Sequence, residues 1–346
     1  MKLPVNPAKI RPPSLPEVLV RKRLIEKVEE NRDKRIVLIL GQAAQGKSTL
    51  AASCVDLLNV PFAWINLDSD DSDPVNLFYT LVCSLYSVVG EEEFLSLLGH
   101  PALDLGSREL IPLYREWAGA IVEHLTSPFM IVLDGLDQLP RGSPSLNFLK
   151  VFVESVHAPV RLLITSREYP PFQIERLRIR QEVLVLGNDE LAFNQKEVEL
   201  FFREIRKIQL SARAYRKLHK ATEGWIGGLV LISHLIERVD PAIREVFIAE
   251  EIPPVFKGHV FKYFGEEIFS SQLPRVQNFL VMSSIFDTIE PGIMDLLLEI
   301  DDSNAILQQC AQRNLFVQTS HLDKKGTVYR YHPLFKDFLK LKFKTD

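Results

Sequence analysis

The sequence predicts an α/β domain built on a parallel sheet, followed by a helical domain and a winged-helix-like domain. Two observations predict the α/β part. Five short β-branched runs are mostly apolar throughout rather than alternating, which is typical of strands covered on both faces. Longer helical stretches separate these runs, and this alternation favours parallel strands joined by helices. The strand signal fades after about residue 190, which indicates that the architecture changes there.

The elements of the α/β domain, residues 1–190, are predicted in order along the chain. The N-terminal segment 1–34 begins proline-rich, becomes charged, and has helical periodicity from Val18 to Glu30. The predicted strands are Ile36–Leu40, Phe62–Leu67, Phe129–Leu133, Arg161–Thr165 and Val183–Leu186. The predicted helices lie near residues 47–58, 74–89, 107–125 and 145–156.

Two smaller domains are predicted to follow. Residues 191–272 have the pattern of several helices, with a break at Pro253-Pro254; these helices include Gln195–Ile205, Ala212–Thr222 and Gly227–Arg238. Residues 273–346 contain helices near 274–285, 291–299 and 303–313, then strands Leu315–Thr319 and Thr327–Tyr331 joined by a loop with Asp323, Lys324, Lys325 and Gly326, then a helix from Pro333. Helices followed by a hairpin and another helix indicate a winged-helix-like domain.

Composition and charge narrow the class of protein. The chain has 346 residues, 46% of them hydrophobic and 25% charged, which are ordinary values for a globular protein. Its net charge of -4 does not favour strong non-specific DNA binding. The longest apolar stretch, Trp225–Ile236, is shorter than the roughly 20 residues of a membrane span, and no signal peptide is evident. We expect a cytoplasmic protein with no membrane partner, whose cysteines Cys54, Cys83 and Cys310 are reduced and buried.

One motif predicts nucleotide binding. The run from Gly41 to Ser48 fits G-x-x-x-x-G-K-[ST]; it consists of Gly41, Gln42, Ala43, Ala44, Gln45, Gly46, Lys47 and Ser48. It follows a predicted strand and opens a predicted helix that carries Thr49, where the helix N-terminus favours phosphate. Backbone N–H groups of such a loop face phosphate oxygens, Lys47 reaches the β- and γ-phosphates, and Ser48 ligates Mg²⁺. The sequence therefore predicts an ATP or ADP site with Mg²⁺.

Charged residues follow two later strands. Asp134 ends an apolar strand, where it is placed to hold Mg²⁺ directly or through water. Asp137 is the candidate for orienting or activating the attacking water, with a turn or helix-cap role as the alternative. Arg167 ends the next strand and is suited to sense the γ-phosphate, with a surface ion pair as the alternative. Together these features predict an α/β P-loop NTPase domain of the ASCE type, and the lack of a guanine-reading N-K-x-D weakens a GTPase interpretation.

The order and spacing of these motifs resemble the nucleotide-binding oligomerisation module of STAND-class signalling ATPases. The MalT-like bacterial regulators are the nearest group, with NACHT and NB-ARC proteins as wider relatives. The resemblance covers nearly the whole chain. Besides the P-loop, it is carried by Arg21–Leu24, Leu162–Arg167, Leu191–Asn194 with Glu197, Gly224-Trp225, Glu266–Phe269 and Tyr331–Phe335.

The resemblance implies both a mechanism and site residues. Family members hold ADP between three domains in a closed form, and exchange for ATP with an inducer opens them and allows oligomers. By position, Val20 and Arg21 match the element beside the adenine, and Arg167 matches the sensor arginine. Trp225 lies where the family lines the nucleotide from the helical domain, and His332 matches the histidine that contacts the ADP β-phosphate. From the residues alone, a helix cap or a packing role for His332 stays open.

The chain also departs from the family pattern. MalT-like relatives often carry two consecutive acids after the strand that ends at Asp134; here Gly135 follows, so the hydrolytic role of Asp137 stays open. The basic run from Lys324 to Lys344 favours a solvated helix face over DNA contact. The family normally carries sensor repeats and often a DNA-binding effector, and the sequence reveals neither these nor the inducer and oligomer size.

The leading prediction is an ATP/ADP-operated signalling switch with slow ATP hydrolysis, which self-associates when ATP is bound. We expect it to act in a transcriptional regulator or another signal-transduction protein. Two alternatives stay open. One is an AAA+-type DNA-binding ATPase with a winged helix, and the other is a non-catalytic scaffold that holds ADP.

Overall fold

The computed structural model describes residues 5–15, 17–90, 110–241, 243–245, 248, 254–322 and 326–345. Four predicted features fall partly outside the described residues: residues 1–4 and 16 of the N-terminal segment, residues 107–109 of a predicted helix, Pro253, and residues 323–325 of the hairpin loop. Within the described part of the chain, no helix is both long and apolar enough to cross a membrane.

Contacts divide the chain into two compact units. The first unit comprises Met1–Pro16, Val20–Gly41 and Lys47–Glu190. The second comprises Glu17–Leu19, Gln42–Gly46 and Leu191–Asp346. The predicted helical and winged-helix regions thus share one unit, and a division between them at residue 272 stays a prediction.

A five-stranded parallel sheet forms the centre of the first unit. Its strands are β1 Ile36–Leu40, β2 Phe62–Asn66, β3 Phe129–Asp134, β4 Val160–Ser166 and β5 Val183–Leu186. They lie in the order β2-β3-β4-β1-β5, and every neighbouring pair is parallel. All residues of β1 and β3 are buried, which explains why these runs are apolar throughout rather than alternating. The predicted α/β P-loop fold class is confirmed.

Six helices of the first unit precede, separate or follow these strands along the chain. They are α1 Lys22–Glu30, α2 Lys47–Leu58, α3 Pro74–Val89, α4 Leu110–His124, α5 Pro144–Ser155 and α6 Ile174–Ile179. The helix expected from Val18 begins only at Lys22, because Arg21 has φ -93° and ψ 70°, outside the helical region. Phe78, Trp117 and Phe148 form the aromatic centre of the core, where the first two rings stack at 4.3 Å.

The second unit is mainly helical and ends in a hairpin and a helix. Its helices are α7 Gln195–Leu200, α8 Ala212–Thr222, α9 Ile226–Glu237, α10 Pro254–Tyr263, α11 Pro274–Ser283, α12 Pro291–Leu298, α13 Ser303–Gln312 and α14 Pro333–Thr345. Wider π-helical turns, Phe201–Ile205 and Phe264–Phe269, extend α7 and α10. Between α13 and α14 lie the antiparallel strands β6 Val317–Leu322 and β7 Gly326–Tyr331.

Two features of these elements have local causes. The first hairpin strand, expected from Leu315, begins at Val317, because Phe316 has a φ of +59° that does not fit a strand. Of the expected break at Pro253-Pro254, Pro253 lies outside the described residues and Pro254 is the first residue of α10. Pro254 occupies the first position of that helix, where a missing N–H costs no helical hydrogen bond.

An aromatic core in the second unit holds Trp225. Its indole stacks on Phe264 at 5.2 Å and meets Phe316 edge-on at 5.0 Å. The same apolar cluster includes Ala43, from the middle of the P-loop. The middle of the loop is therefore packed within the core of this unit.

Candidate nucleotide site

The P-loop has a strained backbone between β1 and α2. Gly46 has a φ of +75° and Ala44 a φ of +54°, both in the left-handed region. A Cβ at Gly46 would also lie 2.9 Å from Cδ1 of Ile226, so this position favours glycine on two grounds. Gln42 and Gln45 are buried and their side chains meet at 3.4 Å. The predicted loop is thus observed as a tight turn that leads directly into the first residue of α2.

The amine of Lys47 folds back over the loop. Its Nζ donates a hydrogen bond to the carbonyl of Gly41 at 2.8 Å. Burial lowers the pKa of Lys47 to about 8, although the charges of Asp137 and Asp134 favour the protonated form. A phosphate oxygen would be a stronger partner for this ammonium than the carbonyl is.

Asp134 accepts two hydroxyl hydrogen bonds at one oxygen. Ser48 Oγ donates to Oδ1 at 2.8 Å, and Thr165 Oγ1 donates to the same atom at 2.5 Å. Thr165 also accepts a hydrogen bond from the N–H of Gly135 at 2.8 Å, which fixes its hydroxyl. Burial raises the pKa of Asp134, and the two hydroxyl hydrogen bonds oppose that shift. Ser48 and Asp134, 86 residues apart in the sequence, therefore lie in direct contact.

These two oxygen ligands fit the predicted Mg²⁺. In nucleotide sites, Mg²⁺ is usually held by one or two protein oxygens together with phosphate oxygens and water. Ser48 and Asp134 supply one hydroxyl and one carboxylate. Among the described residues, no group of three or more His, Cys, Asp and Glu side chains could hold a metal ion without a nucleotide. The donor set thus suits a metal bound jointly with phosphate.

Asp137 and Arg167 bind each other. Gly135, with a φ of +82°, turns the chain after β3 into the short 3₁₀ turn Leu136–Gln138 that carries Asp137. The backbone N–H of Arg167 donates to Asp137 Oδ1 at 2.8 Å, and Nε lies 3.4 Å from Oδ2. The Asp137 side chain is only 8% exposed, whereas that of Arg167 is 39% exposed. The sequence predicts each of them separately, and the structure joins them.

The remaining predicted residues of the first unit have mixed environments. Val20 is 41% exposed, while Arg21 is 5% exposed and donates from Nη2 to the carbonyl of Glu190 at 3.0 Å. Thr49 lies in the first turn of α2, where its carbonyl accepts a hydrogen bond from Ser53 Oγ. Their contact with a nucleotide stays a prediction.

Trp225 and His332 are both fully buried in the second unit. The indole Nε1 of Trp225 donates to the carbonyl of Ala43 at 3.0 Å. His332 is 1% exposed, and its Nε2 lies 2.7 Å from the carbonyl of Thr222, so Nε2 carries the proton and donates. The two rings pack edge-on at 6.0 Å. The indole of Trp225 thus contacts the backbone of the P-loop. A direct contact of either ring with nucleotide stays a prediction.

The sequence assigns no role to two residues, one in each unit, that hydrogen-bond to candidate site residues. Thr165 holds Asp134, and its signal was a polar residue near the carboxyl end of an otherwise apolar strand. Gly227 donates its N–H to the carbonyl of Ala44 at 2.9 Å, and no local pattern distinguishes it from the adjacent glycine.

Two family models match parts of the chain. Residues 265–346 match the MalT winged helix domain, and residues 17–167 match the N-terminal region of Nephrocystin 3. The HTH-type transcriptional regulator MalT of Klebsiella pneumoniae (strain 342) is 24% identical over 341 residues, which cover 96% of this chain and 36% of that protein. The chain therefore spans little more than a third of the length of the curated relatives that it matches.

Two solved structures are similar to this chain. A Walker-type ATPase of Pyrococcus abyssi has a TM-score of 0.58 at 18% identity, covering 95% of this chain and 98% of that one. A STAND protein of Pyrococcus horikoshii with a tetratricopeptide repeat sensor has a TM-score of 0.49 at 21% identity, covering 95% and 43%. The first of these supports the P-loop fold. With the MalT matches, the resemblance predicted from the motifs is confirmed.

Proposed function

We propose that this MalT-like STAND P-loop ATPase module is a nucleotide-operated switch. It binds ATP or ADP with Mg²⁺, hydrolyses ATP slowly, and changes its conformation and self-association with the nucleotide. The observation that carries this proposal is the hydrogen bond between Ser48 Oγ and Asp134 Oδ1 at 2.8 Å. It joins a hydroxyl from the phosphate-binding loop to a carboxylate from a different strand, which is the pair of ligands that Mg·ATP requires.

Different residues of the chain have different roles in the proposed hydrolysis. The loop N–H groups and Lys47 bind the phosphates, and Ser48 and Asp134 would hold Mg²⁺, Asp134 directly or through water. When bound, Mg²⁺ neutralises charge that develops on the phosphate oxygens. Asp137 would accept a proton or a hydrogen bond from the attacking water, because its charge acts on both Lys47 and Asp134 and its carboxylate is held by the backbone N–H of Arg167.

The half-exposed guanidinium of Arg167 supplies a sensing step. Its Nε is 3.4 Å from Asp137, so this contact is weaker than the backbone hydrogen bond that holds the same carboxylate. A γ-phosphate competes for the guanidinium, since arginine binds phosphate with two parallel hydrogen bonds. When a triphosphate draws Arg167 away, Gln138 Nε2 at 3.3 Å stays as a donor to Asp137 Oδ2, and the second lone pair of that oxygen becomes available to water.

Two substitutions test the proposal. Lys47→Ala removes the phosphate-binding charge, and calorimetry should find no binding of ATP or ADP. Asp137→Asn keeps an acceptor for the Arg167 N–H but loses the basic carboxylate. It should therefore bind ATP and hydrolyse it at least about tenfold more slowly, as measured by phosphate release. Lys262→Ala is the matched control, because that lysine is 72% exposed on α10.

The alternatives give different results in the same assays. Unchanged ATP affinity in Lys47→Ala would contradict the P-loop assignment. Tightly held ADP in the purified wild type, found by mass spectrometry after denaturation, with no multiple turnover would favour the scaffold. Salt-sensitive binding of this chain to DNA, seen by fluorescence anisotropy, would favour the DNA-binding ATPase.

A further inference from the structure

Two successive carbonyls of the P-loop are hydrogen-bonded from the start of α9. The indole Nε1 of Trp225 donates to the carbonyl of Ala43 at 3.0 Å, and the N–H of Gly227 donates to the carbonyl of Ala44 at 2.9 Å. These donors lie two residues apart and grip adjacent peptide units. They fix the rotation of the two peptide planes in the middle of the loop.

Because the peptide bond is planar, these two hydrogen bonds also set the direction of the N–H groups that follow. In a trans peptide, the carbonyl of one residue and the N–H of the next point in opposite directions. An anchored Ala43 carbonyl therefore directs the N–H of Ala44 away from Trp225. An anchored Ala44 carbonyl likewise directs the N–H of Gln45 away from Gly227. These N–H groups belong to the set that cradles phosphate in a loop of this motif.

Close packing keeps the two donors in place. A Cβ at Gly227 would lie 2.6 Å from Ala44 Cβ and 2.8 Å from the indole of Trp225, so only glycine allows this approach. A Cβ at Gly228 would lie 2.7 Å from the other edge of the indole. Ala44, at a φ of +54°, has a conformation that persists only where its surroundings impose it. The anchored carbonyls and the packed indole are those surroundings.

The indole is itself held by residues near the C-terminus. Phe316 and His332 pack edge-on against it at 5.0 and 6.0 Å. The carbonyl of Thr222 accepts hydrogen bonds both from the backbone N–H of Trp225, at 2.8 Å, and from His332 Nε2, at 2.7 Å. A change at His332 is thus transmitted through a shared acceptor and a shared packing contact to the residue that grips the loop.

We propose that Trp225 is a positioning residue for nucleoside diphosphate and triphosphate binding, a role that rests on the function proposed above. Together with the N–H of Gly227, it holds the P-loop in its phosphate-binding conformation from the side opposite to the N–H groups of Ala44 and Gln45. Residues 316 and 332 affect nucleotide affinity by orienting this indole. The phosphates therefore gain affinity from a side chain whose only polar atom is already bound to the loop backbone.

A pair of tryptophan substitutions tests the proposal. Trp225→Phe keeps an aromatic ring and removes the N–H. Trp64→Phe is the matched control, because Trp64 is equally buried and its indole Nε1 donates to Asn66 Oδ1 at 2.7 Å, a bond within β2. Both variants lose one indole hydrogen bond, buried for Trp225 and partly buried for Trp64, so both should lose thermal stability. Only Trp225→Phe should bind N-methylanthraniloyl-ADP more weakly, by about 3- to 10-fold, as measured by fluorescence anisotropy.

The outcomes separate this inference from the proposed function. If the wild type binds the probe, Lys47→Ala does not, and the two tryptophan variants bind equally well, the positioning role is wrong and the switch proposal stands. If the wild type does not bind the probe, both are wrong. Equal weakening in both variants would assign the effect to general destabilisation and would also overturn the inference.

A second variant covers the case in which Trp225→Phe does not fold. A benzothienylalanine at position 225 has the shape of tryptophan with sulfur in place of the N–H. It should fold and bind the probe about 3- to 10-fold more weakly. In that protein and in the wild type, amide exchange of the peptide containing Ala44 and Gln45 reports the loop directly. Faster exchange with the isostere supports the role, and identical affinity and exchange contradict it.

Discussion

The imidazole of His332 shows how burial fixes the chemistry of one side chain. Its Nε2 donates to the carbonyl of Thr222, and within the described part of the chain its Nδ1 has no hydrogen-bond partner. Burial lowers the pKa of His332 below its ordinary value of 6.5. The Thr222 carbonyl and the carboxylate of Glu223 oppose this shift, whereas Arg330 adds to it. The native histidine is therefore neutral at pH 7, with its proton on Nε2.

This state of His332 predicts a loss of stability in mild acid. Because its native pKa is lowered, the unfolded chain binds more protons than the native one below pH 6.5. The contribution of His332 is thus complete above pH 6.5 and is lost as the pH falls towards the native pKa. The slope approaches about 1.4 kcal/mol per pH unit in the free energy of unfolding.

The substitution His332→Gln isolates that contribution, because its amide can donate to the Thr222 carbonyl without titrating. We expect a flatter dependence of the free energy of unfolding on pH between 5 and 6.5, measured by urea denaturation at each pH. His259→Gln is the control, since His259 is exposed on α10 and should keep the wild-type slope. Parallel curves for wild type and His332→Gln would show that His332 does not carry the effect.

At the scale of elements, the junction of α8 and α9 depends on one glycine. Gly224 has a φ of +74°, and its carbonyl accepts a hydrogen bond from the N–H of Phe193 at 2.9 Å. A Cβ at this position would lie 2.3 Å from the Phe193 carbonyl oxygen and 2.8 Å from its nitrogen. Both obstacles are backbone atoms, so a side chain cannot be accommodated by a change of rotamer. The turn that presents Trp225 therefore requires glycine.

We predict that Gly224→Ala lowers the free energy of unfolding by about 2–4 kcal/mol, from left-handed backbone strain together with overpacking. Gly258→Ala is the matched control, because its Cβ would meet no atom of the described residues within 4 Å and it lies inside α10. That control should stabilise the protein by about 0.5–1 kcal/mol. Urea denaturation checks both values, and a loss below about 1 kcal/mol in Gly224→Ala would mean that the turn relaxes.

Local pattern determined which elements could be predicted from the sequence. The strands and the meeting of Lys47, Ser48 and Asp134 follow from apolar runs and from the shared edge at which parallel strands end. The bond between Trp225 and Ala43 joins residues 182 positions apart, and no local pattern encodes it. Likewise, the sequence placed Asp137 and Arg167 near the phosphate but gave no sign that they bind each other, because that pairing depends on the turn at Gly135.

At the scale of the whole molecule, the switch requires nucleotides to distinguish two states of the chain. A ligand shifts an equilibrium only by its difference in affinity for the two states. If ATP promotes self-association, ATP must bind the associated chain more tightly than the single one. By linkage, the same coupling free energy makes association strengthen ATP binding. Nucleotide affinity should then depend on protein concentration.

We therefore predict that the affinity for ATP, and not only the mass of the particle, changes with protein concentration. With ADP, light scattering after size exclusion should give the single-chain mass of 39.6 kDa, and ADP affinity should not change with protein concentration. With ATP and Mg²⁺, the Asp137→Asn variant should give a larger mass, because slower hydrolysis preserves the triphosphate. Its apparent ATP affinity should rise at least about fivefold as the protein is concentrated through its association range, the lower limit of a typical coupling. A larger mass without that rise would mean that association is independent of the nucleotide, and the chain would then bind ATP without using it as a switch.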